Sequence, residues 1–485
     1  MNHLMTDVVR FVPNLRRGLR CCAIALCLIC FLAFTASVRA AILCVDQHGK
    51  AGCLSTISAA IVEANIGDTI QVDAGYYAED VVIGTQLSLV GAGPETTIID
   101  ASGLANGIYI DGLDSPGLTQ VVVTGFTVKN ANFEGILVND ATDVTIFDNV
   151  VRGNDRSLNP STPACPGQPA FETAESSDCG EGLHLIGVAH STISDNIVEQ
   201  NAGGILVSDE TAISHDDLIT RNLVMDNSYA GGINLASHPA NPGTPAKNPA
   251  YGIDYIVVSD NDSVHNGFGG GGAGVGLYAP GAGNLVSTNT VLGNRLIANA
   301  LAGVVVHDNS YIPGSTSNPD VNRNVIAENY IAGNGPDPGA PTTVPTGISV
   351  VGPTPAVDVL VTGNLIEGES IDVLLNSSAT LSVHLNDFEG AQTGAAKLSH
   401  GGRINATENW WGCPGGPGAA GCSTTSGTGI VYTPWLTRPT TMVLVHRHDS
   451  GDCHHYRYDC DHDYDFSRHG CDHDHDHDHD HDHGR

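Results

Sequence analysis

Residues 182–207 read GLHLIGVAHSTISDNIVEQNAGGILV, and they contain one complete unit of the pattern that decides the fold. The unit opens with Gly182 and a short apolar segment, passes through Asn196 and Asn201, and opens again at Gly204, 22 residues later. Short apolar segments bounded by Gly and Asn are typical of strands joined by tight bends. The sequence therefore predicts a coil of about 22 residues that is built from short strands.

The opening of this unit, a glycine followed by a short apolar segment, recurs along most of the chain. It begins at Gly107, Gly135, Gly182, Gly204, Gly232, Gly274, Gly303 and Gly347. A repeat that cannot bury its apolar residues alone does so by stacking on its neighbours, and longer gaps then carry loops. Because each coil runs in the same direction as the one before it, stacked strands pair in parallel. The sequence thus predicts an all-β protein, a right-handed parallel β-helix with three parallel sheets.

Asparagine marks a second fixed position in the repeat. Pairs five residues apart recur, among them Asn149 with Asn154 and Asn196 with Asn201. Asn tolerates the left-handed backbone region that a sharp bend between strands requires. Stacked Asn amides can also hydrogen-bond to one another along a ladder. We therefore expect these residues to form the bends and to link successive coils.

Composition supports a strand-and-turn protein and limits its partners. The 485 residues include 58 Gly, and only 5% are aromatic and 15% charged, which disfavours a helical bundle. The formal net charge is −33. Such a surface repels the phosphates of nucleic acid, so no nucleic acid partner is expected. A polyanionic sugar would need a bridging cation.

The beginning of the chain differs from the repeat region. It combines several arginines, an apolar run and the small residues of Val38-Arg39-Ala40, which is the pattern of a signal peptide. We therefore expect an exported protein, extracellular or periplasmic, and no later apolar stretch is long enough to span a membrane. The predicted order is a signal peptide at 1–40, an N-terminal cap at 41–67, the β-helix at 68–440 and a disordered tail at 441–485.

A stack of coils needs both ends covered. A short capping helix is predicted between Ser55 and Asn65, where apolar residues recur at helical spacing and Thr56 can cap the first turn. At the other end lie all three tryptophans, Trp410, Trp411 and Trp435. We expect their rings to close the core, with a sugar-stacking platform as the alternative.

Cysteines occur in close pairs within segments that are rich in turn-forming residues. An exported protein meets an oxidising compartment, in which such cysteines form disulfides. The predicted disulfides are Cys44–Cys53, Cys165–Cys179 and Cys413–Cys422. Buried free thiols are the alternative.

The repeat resembles a known group of proteins. Its Gly and Asn pattern, read with Thr97-Ile98-Ile99 and Val144-Thr145-Ile146, is similar over residues 55–436 to right-handed parallel β-helix repeat proteins of the pectin-lyase-like superfamily. Residues 68–89, which include Gly75-Tyr76-Tyr77, also resemble pectinesterases and the β-helix accessory proteins of nitrous oxide reductase copper sites. The resemblance implies the fold and leaves the activity open. The Gln-Asp pair of pectinesterases is missing, which disfavours pectin demethylation.

In a β-helix the outward side chains of successive coils stack about 4.8 Å apart, so a binding groove is a column of residues. The residue two positions after each repeated glycine should point outward. The candidate catalytic or Ca²⁺-binding residues at or just past these strands are His184, Asp209, Glu210, His307 and Asp308. Carboxylates and histidines in one groove suit acid–base chemistry or cation binding. Solvated turn residues are the alternative.

The tail has a composition of its own. Residues 441–485 contain 12 His and 12 Asp, which alternate at the end of the chain. Alternating polar residues prevent a packed core, whereas neutral imidazoles bind Zn²⁺, Cu²⁺ or Ni²⁺. The candidate metal ligands are His473, His475, His477, His479, His481 and His483. A solubilising spacer is the alternative.

Three functional hypotheses follow from the sequence. The first is a secreted β-helix protein that binds or processes extracellular polysaccharide; as an enzyme it would be a polysaccharide lyase, an epimerase or a glycoside hydrolase. The second is a non-catalytic surface or adhesion scaffold, which fits the missing catalytic motifs. The third is a metal-handling accessory protein that uses the His/Asp tail. The sequence does not decide whether the chain is an enzyme.

Overall fold

A computed structural model gives the arrangement of most of the chain between residues 40 and 440. The described residues are 40–159, 161, 168, 180–238, 252–281, 283–308, 319–353, 358–398 and 401–440. The predicted signal peptide, the predicted disulfide Cys165–Cys179 and the His/Asp tail lie outside them. The predicted domain boundaries therefore stay predictions.

Three long parallel sheets dominate the described residues, with a short fourth sheet beside them. Sheet A contains the strands Ile42–Val45, Asp68–Val72, Leu87–Gly91, Val122–Thr124, Thr145–Phe147, Thr192–Ser194, Leu218–Thr220, Val257–Ser259, Thr290–Leu292, Val325–Ala327, Val359–Thr362, Thr380–His384, Arg403–Asn405 and Ile430–Val431. Sheet B contains Gly75–Tyr77, Thr97–Asp100, Thr127–Lys129, Val150–Arg152, Ile197–Glu199, Leu223–Met225, Asp262–Val264, Arg295–Ile297, Tyr330–Ala332, Leu365–Glu367 and Asp387–Glu389. Sheet C contains Val81–Ile83, Asn106–Asp111, Glu134–Asn139, Glu181–Ile186, Gly203–Ser208, Ile233–Ala236, Val275–Ala279, Val304–Asp308, Thr346–Gly352, Ile371–Ser377, Thr393–Lys397 and Thr424–Ser426. Sheet D contains Ser214–His215, Ile253–Asp254 and Val286–Ser287.

Strands of neighbouring coils pair in parallel and in register. In sheet C, Leu183 lies opposite Ile205, which in turn lies opposite Ile233. All three side chains point into the stack and are fully or almost fully buried. Because the same position is apolar in coil after coil, the stack has one continuous core. The predicted right-handed parallel β-helix with three parallel sheets is confirmed.

Two ladders of buried asparagines link the coils, as the sequence predicts. The side-chain amide of Asn196 donates to the side-chain oxygen of Asn222 at 3.0 Å, and Asn222 donates to Asn261 at the same distance. The first ladder joins Asn149, Asn196, Asn222, Asn261, Asn294, Asn329, Asn364, Asn386 and Asn409. The second joins Asn154, Asn201, Asn227, Asn266, Asn299 and Asn334 and ends on Glu369.

The ladder asparagines do not make the bends themselves, so that part of the prediction is wrong. The left-handed residue is the one before, as in Asp148 (φ 53°) before Asn149 and Asp195 (φ 57°) before Asn196. The Asn side chain must point into the corner to reach the next amide and nearby backbone carbonyls. The exposed residue before the asparagine therefore makes the bend, and Asp tolerates the positive φ that the bend requires.

Both ends of the stack are covered. At the start, helix α1 spans Ile57–Glu63, and the side chain of its N-cap Thr56 accepts a hydrogen bond from a backbone N–H of the first turn. A 3₁₀ helix at Lys50–Gly52 precedes it. At the other end Trp411 is fully buried and stands edge-on to Phe388, with ring centroids 5.1 Å apart. Within the described residues, neither helix is long and apolar enough to cross a lipid bilayer.

Two of the predicted disulfides are present. Cys44 is bonded to Cys53 and Cys413 to Cys422. The first pair joins the strand at the front of sheet A to the turn before α1, and the second closes a loop near the buried Trp411. Both therefore stabilise an end of the stack, where fewer coils contribute packing.

Candidate functional site

The outer face of sheet C carries the column of residues that the repeat predicts to point outward. Leu137, His184, Leu206 and Asn234 lie side by side in register on successive strands. Their neighbours along each strand, such as Leu183, belong to the central core. Alternation along a strand places the column on the opposite face, as predicted. His184 is nevertheless fully buried.

Residues from the coil connections and loops cover this outer face. Phe133 packs with Leu137 and Ile186 in a small apolar cluster that is separate from the central core. Further along the sheet, Ala302 packs with Val305 in a second such cluster. All five candidate residues are buried. The interpretation of these residues as solvated turn residues is therefore wrong, because the face they occupy is covered.

His184, Asp209 and Glu210 belong to one buried polar network. The imidazole of His184 places Nδ1 3.3 Å from Oε1 of Glu134 and Nε2 2.9 Å from Oγ of Ser208. Glu210 accepts a hydrogen bond through Oε1 from Nδ1 of His238 at 2.8 Å. Two buried imidazoles thus stand beside two buried glutamates, an arrangement in which the buried polar groups are partners for one another.

Asp209 contacts the backbone, unlike the adjacent Glu210. Its carboxylate accepts hydrogen bonds from Oγ of Ser237 at 2.9 Å, from N of His238 at 2.8 Å and from N of Gly252 at 2.6 Å. Asp209 therefore anchors the backbone on both sides of residues 239–251, which lie outside the described residues. An oxygen set already bound to three protein donors is a poor start for Ca²⁺ coordination.

The surroundings separate the pKa values of these two adjacent carboxyl groups. Burial raises the pKa of Asp209 to about 6, and the charge of Glu210 adds to the effect. Burial also opposes ionisation of Glu210, but the imidazoles of His238 and His184 outweigh it and lower the pKa of Glu210 to about 2. Glu210 is thus ionised at neutral pH and holds its place as the acceptor in an ion pair.

His307 lies elsewhere on the same face. Its strand, Val304–Asp308, is separated from Glu181–Ile186 by three intervening strands of sheet C. Four strand spacings correspond to roughly 19 Å. The five predicted residues therefore do not converge in one groove. His184, Asp209 and Glu210 lie in one cluster, and His307 lies in another.

Tyr278, His307 and Asp337 form the second cluster, here called the His307 group. Nε2 of His307 lies 2.8 Å from Oδ2 of Asp337, whose side chain is fully buried, whereas the imidazole keeps 11% of its surface exposed. Burial alone would raise the pKa of Asp337, but the hydrogen bond and charge of His307 lower it overall. The ring of Tyr278 stands edge-on to the imidazole, with centroids 5.8 Å apart.

Two glycines make room for the His307 group. A Cβ atom at Gly339 would lie 2.6 Å from Cε1 of His307, and one at Gly276 would overlap the ring of Tyr278. Burial raises the pKa of Tyr278, so its hydroxyl stays protonated and able to donate. Among the described residues, this hydroxyl has no hydrogen-bond partner. The group therefore offers an oriented imidazole and an uncommitted hydroxyl side by side.

Asp308 is not part of the His307 group. It is buried and packs against Gly352, where a Cβ atom would lie 2.8 Å from its carboxyl carbon. Sequence reasoning missed Tyr278, although the alternation that indicated His184 also applies to the strand that contains Tyr278. It missed His238 and Asp337 because they follow strands within Pro- and Gly-rich segments that carry no repeat.

A third group of side chains lies on the surface. His190, His215 and Asp216 form a cluster whose nitrogen and carboxylate oxygen atoms all lie within 4.8 Å of one another. The six predicted histidine ligands of the tail, from His473 to His483, lie outside the described residues. The prediction that they bind metal therefore stays a prediction.

Comparison with known proteins supplies one sequence match. Residues 170–335 match the family model described as periplasmic copper-binding protein (NosD). This stretch covers about a third of the chain and includes His184, Glu210 and His238 of the buried network as well as the surface cluster, whereas Glu134 precedes it. No curated protein matches the chain in sequence.

Solved structures give the fold. The A-module of mannuronan C-5 epimerase AlgE6 from Azotobacter vinelandii is 16% identical, with 77% of this chain and 91% of that chain covered and a TM-score of 0.52. The lid-less DFA-IIIase from Arthrobacter chlorophenolicus A6 in complex with GF2 is 14% identical, with 81% and 99% covered and a TM-score of 0.51. Identities this low establish architecture alone. The chain is a right-handed parallel β-helix protein, and its middle third carries the sequence pattern of the NosD model.

Proposed function

We propose that this is an exported protein that binds an extracellular polysaccharide and processes it by acid–base chemistry at the His307 group. The observation that carries the proposal is the pairing of His307 with the buried Asp337 beside the uncommitted hydroxyl of Tyr278. A histidine held by a carboxylate next to a second proton-carrying group is the recurring arrangement of general acid–base sites.

Each member of the group has a defined role. Asp337 accepts a hydrogen bond from Nε2–H of His307, which leaves Nδ1 as the proton acceptor and stabilises the imidazolium that forms. Tyr278 donates its hydroxyl hydrogen to a sugar oxygen as charge develops there. Gly276 and Gly339 keep both rings in these positions because larger residues would displace them.

The charge of the protein selects the substrate. A chain with a net charge of −33 repels uronate polymers, and the His307 group itself contains a carboxylate. A neutral glycan is the substrate class that fits. One protein with a similar structure is a mannuronan C-5 epimerase, which supports carbohydrate chemistry on this fold. On a neutral glycan the reaction is a hydrolase step, in which one group protonates the leaving sugar oxygen and another accepts a proton from the attacking water, because lyase and C-5 epimerase steps need a uronate carboxyl group to acidify the C–H that loses its proton.

The test is incubation of the full-length exported protein with a panel of neutral and acidic glycans. New reducing ends, unsaturated products and epimerised sugars are measured separately. We expect turnover of a neutral glycan, which falls at least about 100-fold in both His307→Gln and Tyr278→Phe. His265→Gln, a change in a surface histidine that pairs with Asp226, serves as the control and should retain full turnover.

Binding without turnover would replace this proposal by the adhesion scaffold. Absence of both binding and turnover across the panel would contradict the polysaccharide role. The metal-handling alternative rests on the His/Asp tail at 441–485, which lies outside the NosD match to residues 170–335; that match supports metal handling by the body of the chain.

A further inference from the structure

We propose that His190, His215 and Asp216 form a binding site for a late first-row transition metal ion, Cu²⁺ or Zn²⁺, on the body of the β-helix. This site is independent of the His307 group and of the histidines in the tail.

The coil geometry brings the three residues together. Ala189 pairs with His215 across neighbouring coils, so the residues that follow them, His190 and Asp216, occupy equivalent corners one coil apart. Both corner residues adopt a left-handed backbone, with φ 56° at His190 and φ 57° at Asp216. Coil corners outside this cluster have the same conformation, as at Asp143 and Tyr255, so the bend itself is structural. Its effect is to stack the corner side chains about 4.8 Å apart on the surface.

The distances within the cluster suit a shared ion. Nδ1 of His215 lies 2.7 Å from Oδ2 of Asp216, and Nδ1 of His190 lies 4.0 Å from the same oxygen. The two imidazole rings stand edge-on with centroids 5.1 Å apart. Ligand atoms of a tetrahedral ion with bonds near 2.0–2.1 Å lie about 3.3 Å from one another. The three side chains would therefore need to move their ligand atoms by about an ångström to surround an ion.

The side chains of the cluster are exposed enough to make this movement. The side chain of His190 is 55% exposed, that of Asp216 48% and that of His215 29%. An ion can therefore reach the ligands from solvent, and water can complete its coordination. Two imidazoles and one carboxylate favour Cu²⁺ and Zn²⁺, whereas Ca²⁺ and Mg²⁺ prefer sets made of oxygen alone.

Two further observations support the assignment. Asp254 is the register partner of His215 in the next coil, so an additional negative charge lies about one strand spacing from the cluster. All four residues also lie within residues 170–335, the segment that matches the model described as a periplasmic copper-binding protein. The cluster is the single group in the described part of the chain with three such ligands in reach of one ion.

A matched control exists on the same surface. His265 places Nδ1 2.7 Å from Oδ1 of Asp226 and is 50% exposed, but no second histidine belongs to that pair. A lone His–Asp pair should bind such an ion far more weakly, because each added protein ligand contributes to affinity. The His265→Ala variant therefore measures how much a single exposed histidine contributes to the affinity for the metal ion.

The experiment uses the full-length exported chain in which all twelve histidines of residues 441–485 are replaced by Asn and Cys453, Cys460 and Cys471 by Ser, which removes the imidazole and thiol ligands of the tail. Cu²⁺ and Zn²⁺ are titrated by calorimetry, and the Cu²⁺ complex is examined by electron paramagnetic resonance. We expect one equivalent bound, a spectrum with two nitrogen ligands, and no competition from excess Ca²⁺. His190→Ala and His215→Ala should each weaken binding at least about ten-fold.

Three results would overturn the proposal. The first is a tail-substituted chain that binds neither ion. The second is His190→Ala or His215→Ala variants that bind as tightly as their parent. The third is a His265→Ala variant that loses as much affinity as these two. His190 and His265 are exposed and His215 is partly exposed, so the variants should keep the circular dichroism of the parent. If a variant loses its β signal, His190→Gln and His215→Gln are measured in its place.

Discussion

Oε1 of Glu369 accepts hydrogen bonds from both the backbone N (2.8 Å) and the side-chain Nδ2 (3.1 Å) of Asn334, so a carboxyl group ends the second asparagine ladder. Asn334 is thus the last amide in a column that begins at Asn154. The other oxygen of Glu369, Oε2, has no hydrogen-bond partner among the described residues. A ladder of neutral groups therefore ends in a group that can ionise.

We predict that Glu369→Gln removes a pH dependence of stability. Burial raises the pKa of Glu369 to about 7, whereas the ordinary value, which applies in the unfolded chain, is 4.5. Between these values the folded protein keeps a proton that the unfolded chain releases, so the free energy of unfolding falls as pH rises. The loss amounts to about 3 kcal/mol, and it is complete above pH 7.

Urea unfolding at pH 5 and pH 8 measures this effect. Glutamine keeps the acceptor oxygen for Asn334 but cannot ionise, so the variant should lose about 2.5 kcal/mol less than the parent over this range, the remainder of the effect lying below pH 5. Superimposable pH profiles of the two proteins would contradict the prediction.

We predict that Asp372→Gly stabilises the protein at pH 8. Asp372 stands between Gly347 and Gly394 in the register of sheet C and is fully buried. Neither of its carboxyl oxygens has a hydrogen-bond partner in the described part of the chain. Burial raises the pKa of Asp372 well above its usual range, and the charges of Glu369 and Glu389 add to this. Its removal should raise the free energy of unfolding by about 1 kcal/mol or more. Thermal and urea unfolding measure it, and a lower stability would show that Asp372 has an unrecognised partner.

We predict that the buried pair of Glu210 and His238 is needed for stability. Removal of one member breaks the buried hydrogen bond between the two side chains, at a cost of about 3–5 kcal/mol. Glu210→Gln and His238→Ala should each show this loss in urea unfolding. His265→Ala, which breaks an exposed pair with Asp226, should cost less than about 1 kcal/mol. Equal losses at the buried and exposed pairs would count against the network.

The repeat made most of the architecture predictable. Gly182 and Gly204 recur at a fixed position, and the alternation after them separates the core-facing Leu183 from the outward-facing His184. The amide ladder through Asn196 was predictable for the same reason. The bend at Asp195 was not, because nothing in the repeat shows which of two neighbours turns its side chain inward.

The candidate site was less predictable because it depends on residues outside the repeat. His184 is buried by connections between the strands, and its network includes His238, which follows a strand within an irregular segment. His307 was identified from its position after a repeated glycine. Its partner Asp337 comes from a Pro- and Gly-rich turn 30 residues later, and no periodicity relates the two.

The two ladders also bear on how such a chain can change in length. Asn201 and Asn227 hold equivalent places 26 residues apart, and each offers its neighbour the same pair of bonds. If a whole coil is inserted or removed between such positions, the coils above and below still present asparagines that can hydrogen-bond to each other. The number of turns is therefore not set by the ladders, and duplication within the gene could extend the molecule while the covers at both ends stay the same.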